Sequence, residues 1–248
     1  MRPSYEKKAT FRFYEELNDF LPSGERKKDR IYTFKGAPSL KDAIEAQNVP
    51  HTEVDLILVN GYPAEFTRKL RDGDRVSAYP VFESFDISTV RPEGKPLRTP
   101  AFILDVHLGK LARLLRMAGF DSYYRNDLDD SEIIKRAVAE NRIILTRDLG
   151  ILKNSRVTKG YYIRSQNPRE QLKEVINRFQ LRSSINFFSR CMECNGEITE
   201  TATADIEHAL KPGTRQCYKK FFRCTQCGKI YWEGSHFERM RDLYGDLK

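Results

Sequence analysis

No stretch of this chain approaches the ~18 consecutive apolar residues of a membrane-spanning helix. Its opening, MRPSYEKKAT, lacks the apolar core of a secretory signal. There is no internal repeat and no low-complexity tract. Cysteine is scarce: five residues in 248 are too few, and too regularly placed, for a secreted disulfide scaffold. These absences argue against a membrane span and an extracellular stapled domain, so the expected location is the cytoplasm. What remains is 40% hydrophobic and 31% charged, a balance that folds as a globular protein. The length suits two domains and a small third unit.

Charge is unevenly spread. Residues 1–97 hold 16 basic and 16 acidic residues. The whole net charge of +8 therefore lies in residues 98–248. A basic half beside a neutral half points to a polyanion partner for the basic half, or to a cationic surface that only keeps the protein soluble.

The chain reads in four parts. Residues 1–87 mix strand and helix. ATFRFY alternates like a half-buried strand. Ser39 caps a short helix, LKDAIEAQ. VDLILVNG runs into an Asn-Gly hairpin turn, and RDGDRVSAYPVF is a turn followed by a strand. This order suits a ubiquitin-like β-grasp. Residues 88–100 are rich in proline and read as a linker. Residues 101–182 alternate strands (AFILD, DSYYR, RIILT, GYYIR) with helices. Leu108, Leu111, Ala112, Leu115 and Ala118 make one helical face, Lys110, Arg113 and Arg116 another, and Gly119 stops the helix. Asn167 and Pro168 open the last helix. Such alternation gives an α/β fold with an open, mostly parallel sheet. Residues 183–248 carry two cysteine-bearing loops flanked by strand-like residues.

Ligands of such a sheet bind beyond the carboxyl ends of its strands. Asp105 ends the first strand of this domain and Asp148 the third. Asp130 starts the helix after the second, at a capping position, with Asp127 and Asp129 just before it. Carboxylates gathered at one rim repel unless a cation compensates, and hard oxygen ligands select Mg²⁺ or Mn²⁺. Such a metal could activate water for attack on a phosphodiester, with Lys110, Arg113, Arg116 and Arg147 holding substrate phosphates. Taken singly, each aspartate could equally be a helix cap or a strand end, and the basic stripe a solvated face.

The blocks FILDVHLGKLARLLRMAGFDSYY, DDSEIIKRAVAENRIILTRD, FSRCMECNGEI and FRCTQCGKIYWEGSHFERM, in this order, resemble the Mut-seven C-terminal ribonuclease domain, a branch of the PIN-like nucleases. The resemblance spans about residues 101–240. It implies a PIN-like fold, a divalent-metal ribonuclease site at the positions of Asp105, Asp130 and Asp148, and a C-terminal zinc ribbon. Residues 1–87 resemble the ubiquitin-like domain often joined to it. PIN nucleases commonly carry a further acid soon after the position of Asp148. Here that region reads DLGILKN, so a three-carboxylate site, or Asp129 or Asp127 standing in, stays open. The alternative to a ribonuclease is a non-catalytic RNA-binding module on a decayed nuclease fold. A third reading gives the N-terminal domain a protein partner. It has no free Gly-Gly tail and so is not expected to act as a sulfur carrier.

Cys191-x2-Cys194 and Cys224-x2-Cys227 predict a tetrahedral, structural Zn²⁺ site. Gly196 and Gly228 are expected to help each loop turn back toward the metal. The long separation of the pairs implies an inserted hairpin or helix in TATADIEHALKPG. Cys217 is expected to stand apart, and His208 and His236 are not needed as ligands. Phe221, Phe222, Tyr231 and Trp232 could stack on bases, though at least half are expected to form the ribbon's own core.

Overall fold

A computed structural model describes residues 6–80, 100–210, 212–234, 237–238, 241 and 244–245. The expected linker, apart from Pro100, and His236 lie outside the described residues. The chain divides into two compact units, residues 1–95 with 148–162 and residues 96–147 with 163–248. Residues 148–162, inside the expected 101–182 domain, group with the first unit, while Gly160–Tyr162 is the fourth strand of the sheet that carries the other strands of that domain, as expected of GYYIR. Among the described residues, no helix is long and apolar enough to cross a membrane.

The first unit is built on β1 (Lys7–Phe13), whose alternation buries Ala9, Phe11 and Phe13. β2 (Arg30–Phe34) pairs antiparallel with β1 and is a strand the sequence reading does not single out. Its outward face explains this: Ile31 is 65% exposed, so its apolar residues do not mark one side. α1 (Leu40–Glu45) starts in a capping box, with Ser39 and Asp42 each accepting the other's backbone N–H. β3 (Leu56–Val59) turns through Asn60 and Gly61, both at positive φ as a tight hairpin requires, into β4 (Tyr62–Pro63). β5 (Arg75–Tyr79) lies parallel to β1 and antiparallel to β3. The sheet order β2-β1-β5-β3-β4, with the parallel pair central, is the β-grasp arrangement. To this unit belong α4 (Leu149–Leu152) and β9 (Gly160–Tyr162). Leu149 and Tyr162 pack on the β-grasp core, and Tyr162 meets Phe20 edge-on at 5.5 Å.

In the second unit β6 (Phe102–Leu104) is wholly buried, as a central parallel strand should be. β7 (Ser122–Tyr123) and β8 (Ile143–Thr146) flank it, both parallel. Parallel neighbours need crossovers. α2 (Gly109–Met117) joins β6 to β7, and α3 (Asp130–Glu140) joins β7 to β8. α2 packs on α5 (Pro168–Arg178), which Asn167 caps with Pro168 as its first residue. After α2, Gly119 takes φ +96°, and a Cβ there would lie 2.4 Å from the carbonyl of Asn186. Glycine thus ends the helix and seats the strand-less run that leads to the ribbon. The ribbon's sheet is β10 (Ile198–Thr201), β11 (Phe221–Cys224) and β12 (Ile230–Trp232), antiparallel throughout. Two short helices, α6 (Thr203–Ile206) and α7 (Pro212–Cys217), fill the expected insertion.

Candidate functional site

Asp105 follows β6 directly and is only 3% exposed. Its Oδ1 accepts the N–H of His107 at 2.8 Å. Its Oδ2 accepts the N–H of Arg147 at 3.0 Å and the hydroxyl of Thr146. Charge-bearing oxygens tolerate burial when donors surround them. Three of the carboxylate's roughly four lone-pair positions are used, and the one that remains is on Oδ1. Arg147, whose N–H anchors Asp105, is the residue immediately before Asp148.

Asp148 is exposed and caps α4, accepting the N–H of Gly150 at 2.6 Å. A side chain at position 150 would crowd it, since a Cβ there would stand 3.0 Å from Asp148 Oδ1. Asp130 is also exposed and is the first residue of α3, not its cap. The cap is Asp129, one residue earlier, which accepts from Ser131 Oγ at 2.7 Å and Glu132 N at 2.8 Å. Those two bonds hold the Asp129 carboxyl below the usual carboxylate range. The capping role expected of Asp130 therefore passes to Asp129, and Asp130 is spared that duty. Asp127 pairs with Arg125 across 2.9 Å.

The basic residues separate sharply. Arg116 is only 4% exposed, against the expectation that it faces RNA. Its guanidinium donates to the carbonyls of Ser122 (2.9 Å), Met192 (3.0 Å) and Glu193 (2.8 Å). With most of its donors committed to backbone carbonyls, Arg116 acts as a structural tie between α2 and the first cysteine loop. Arg147 is half-buried, and its Nη1 is committed to the carbonyls of Ile163, Arg164 and Ser165 at 3.2, 2.9 and 2.6 Å. Lys110 and Arg113 do face solvent. They line a cavity of about 560 Å³ with Leu114, Asn167, Pro168 and Arg169. Arg113 also lies 3.5 Å from Glu193. Arg169 is missing from the expected set. The motif NPRE carried its signal, because a cation in the first turn of a helix opposes the helix dipole and calls for another reason to be there.

The four cysteines converge. Their sulfurs all lie within 4.8 Å of one another, with Cys191–Cys227 at 3.6 Å and Cys194–Cys224 at 3.4 Å. A tetrahedron with Zn–S bonds of ~2.3 Å has sulfurs about 3.8 Å apart, so the quartet fits a structural zinc ion. Cys217 is exposed and outside the cluster. Burial pushes the Cys191 thiol up, but the hydroxyl of Tyr231 and the N–H groups of Cys194 and Glu193 outweigh it and hold it at about 7. Burial and the neighbouring sulfurs drive Cys194 up to about 12. Without a cation the sulfurs thus resist common ionisation, which a divalent metal would relieve. Gly228 takes φ +71° in the second loop as expected. In the first loop that conformation falls to Asn195 (φ +70°), not Gly196.

Asn195 also ties the loop to the sheet. It accepts from Ser122 N at 3.0 Å and donates to Asp121 Oδ1 at 2.7 Å. Of the ribbon aromatics, Phe221 and Tyr231 are buried and Phe222 packs edge-on to Phe188 at 5.1 Å. Trp232 stays 39% exposed.

The Mut7-C RNAse domain family model matches residues 100–244, and the Mut7-C ubiquitin model matches residues 6–86. No curated protein matches the chain significantly. Among solved structures, SAMP1 from Haloferax volcanii is 16% identical over 30% of this chain and 96% of its own, with a TM-score of 0.25. A second structure, small archaeal modifier protein 1 of H. volcanii, is also 16% identical over 30% of this chain, with 97% of its own covered and a TM-score of 0.25.

Proposed function

Because the chain belongs to the Mut7-C RNAse domain family, we propose that it is a metal-dependent ribonuclease hydrolysing RNA phosphodiester bonds. The observation that carries this reading is Asp105, a buried carboxylate fixed at the carboxyl end of the central strand with one lone-pair position left. A carboxylate so placed is preorganised toward the rim rather than merely ending a strand. Asp130 and Asp148, both exposed, would complete the ligand set, with Asp129 as a stand-in through its Oδ2. The all-oxygen donor set suits Mg²⁺ or Mn²⁺. When bound, such an ion lowers the pKa of water and offsets charge on the phosphodiester.

The protein's own contribution is binding and orientation. Lys110, Arg113 and Arg169 surround the cavity between α2 and α5 and supply positive charge to the RNA backbone. Its apolar stretch, Leu114 and Pro168, leaves room for a base or sugar. The test is RNA cleavage with Mn²⁺. Asp148→Asn should lose activity by about a hundredfold or more, since one ligand is removed. Equal cleavage by both proteins would end the reading. RNA binding with no cleavage by the wild type would leave a non-catalytic RNA-binding module.

A further inference from the structure

The register of the ribbon's three strands sorts their side chains onto two faces. Phe222 of β11 stands opposite Glu200 and Tyr231, and Cys224 opposite Ile198, so these share one face. It is the inner face: Phe222 and Tyr231 both meet Phe188 edge-on, at 5.1 and 5.6 Å. Its cations are matched by acids. Lys220 lies over the Phe222 ring, 3.9 Å from Glu200 and 3.8 Å from Glu233. Lys229 lies over the Tyr231 ring, 2.9 Å from Glu193.

Thr199, Thr201, Phe221, Arg223, Ile230 and Trp232 take the other face. None of them is acidic. Phe221 is buried, but Trp232 keeps 39% of its surface open and Arg223 is exposed. Tyr218 extends the indole, its ring 6.1 Å away and tilted by 34°. The Arg223 guanidinium leans toward Gly228, where a Cβ would lie 3.5 Å from Nη2. Among the described residues Arg223 has no ion pair, unlike the two lysines of the inner face.

An open indole and an unpaired guanidinium on one acid-free face suit a base and a phosphate of the same strand. We propose that this face of the ribbon binds single-stranded RNA, with a base stacked on Trp232 and a phosphate held by Arg223. The net charge of +8, all of it in residues 98–248, favours a polyanion here. Trp232 and the half-buried Ile230 offer little apolar area to a protein partner. The single strand follows from the indole, since a duplex keeps its base faces covered. Only the choice of RNA rests on the ribonuclease reading.

Trp232 is the chain's single tryptophan, so intrinsic fluorescence reports on this face alone. The experiment uses the full chain with no Mg²⁺ or Mn²⁺ added. Its probes are a uridine oligonucleotide of about eight residues and an RNA duplex of similar length. The single strand should quench Trp232 saturably and the duplex should not. Polarisation of the labelled single strand then compares variants whose zinc content and melting match the wild type. Trp232→Ala should weaken binding about fivefold or more, and Trp232→Phe should restore it to within about twofold. Arg223→Gln should lower the magnitude of the salt slope by about 0.7. Lys220→Gln, on the inner face, should leave affinity and slope unchanged. Absence of quenching overturns the proposal, as does wild-type affinity in folded Trp232→Ala. Equal weakening by Arg223→Gln and Lys220→Gln also overturns it, because total charge then explains the binding. If Trp232→Ala fails to fold, quenching and the Arg223–Lys220 contrast decide. Cleavage of RNA with Mn²⁺ by a wild type that shows no quenching defeats this proposal and leaves the ribonuclease reading. Quenching without cleavage does the reverse.

Discussion

Arg116 Nη1 donates to the carbonyl of Glu193 at 2.8 Å, so a helix of the nuclease domain grips the loop between Cys191 and Cys194. The same guanidinium holds Met192 and Ser122. Burial lowers the pKa of this guanidinium, and the nearby sulfurs and Glu193 offset only part of that fall. Removing it would strand the buried carbonyl of Ser122 and take a donor from the part-buried carbonyls of Met192 and Glu193. Arg116→Met should cost about 3 kcal/mol, because each orphaned group costs about 1–3 kcal/mol. Thermal melting checks this. The loss should be accompanied by faster zinc release to a chelator, because the first cysteine loop loses its clamp.

The cysteine quartet should bind one zinc ion per chain, measurable by elemental analysis. Cys194→Ser should abolish that stoichiometry, and chelation of the wild type should lower its melting temperature. Cys217→Ser should change neither, because Cys217 is exposed and outside the cluster.

Low pH should loosen the ribbon's seat. Burial raises the Asp121 carboxyl, but Arg142 and Asn195 outweigh it and leave it below the usual carboxylate range. A depressed folded pKa contributes stability that is present above the unfolded value of about 3.9 and lost as pH falls through the folded value. Acid unfolding of wild type should therefore steepen below about pH 4. Asp121→Asn should be less stable at neutral pH and show less of that acid dependence, as followed by circular dichroism.

Binding to RNA should separate the cations. Lys110→Gln, Arg113→Gln and Arg169→Gln should each weaken binding across sequences and reduce the magnitude of the slope of log affinity against log salt by about 0.7–1. Titration at several salt concentrations reads this directly. Arg116→Met, if it remains folded, should leave the slope unchanged.

Local chemistry made much of this fold legible. Asn60-Gly61, Ser39 and Asn167-Pro168 act through their own backbone, so a short window reveals them. The cysteine quartet is equally plain, because two paired loops carry their geometry in their spacing. Asp105 follows β6 and Asp148 comes two residues after β8, each near its expected strand end, but the cap of α3 falls one residue early, on Asp129. What could not be read was satisfied from afar. Arg116 looks like a solvent-facing cation on a helical wheel. Its acceptors at Met192 and Glu193 lie 76 and 77 residues away, and no local pattern announces them. The membership of 148–162 in the β-grasp unit has the same origin, in Glu53 and His51.

Leu149 and Tyr162 have their apolar company in the β-grasp core. A ribonuclease fragment cut at residue 100 would strip both side chains of that company and take Glu53 from the N–H of Tyr162. Such a fragment should be sticky and poorly soluble. Transplanting this domain into another protein would require a new host surface for those two residues.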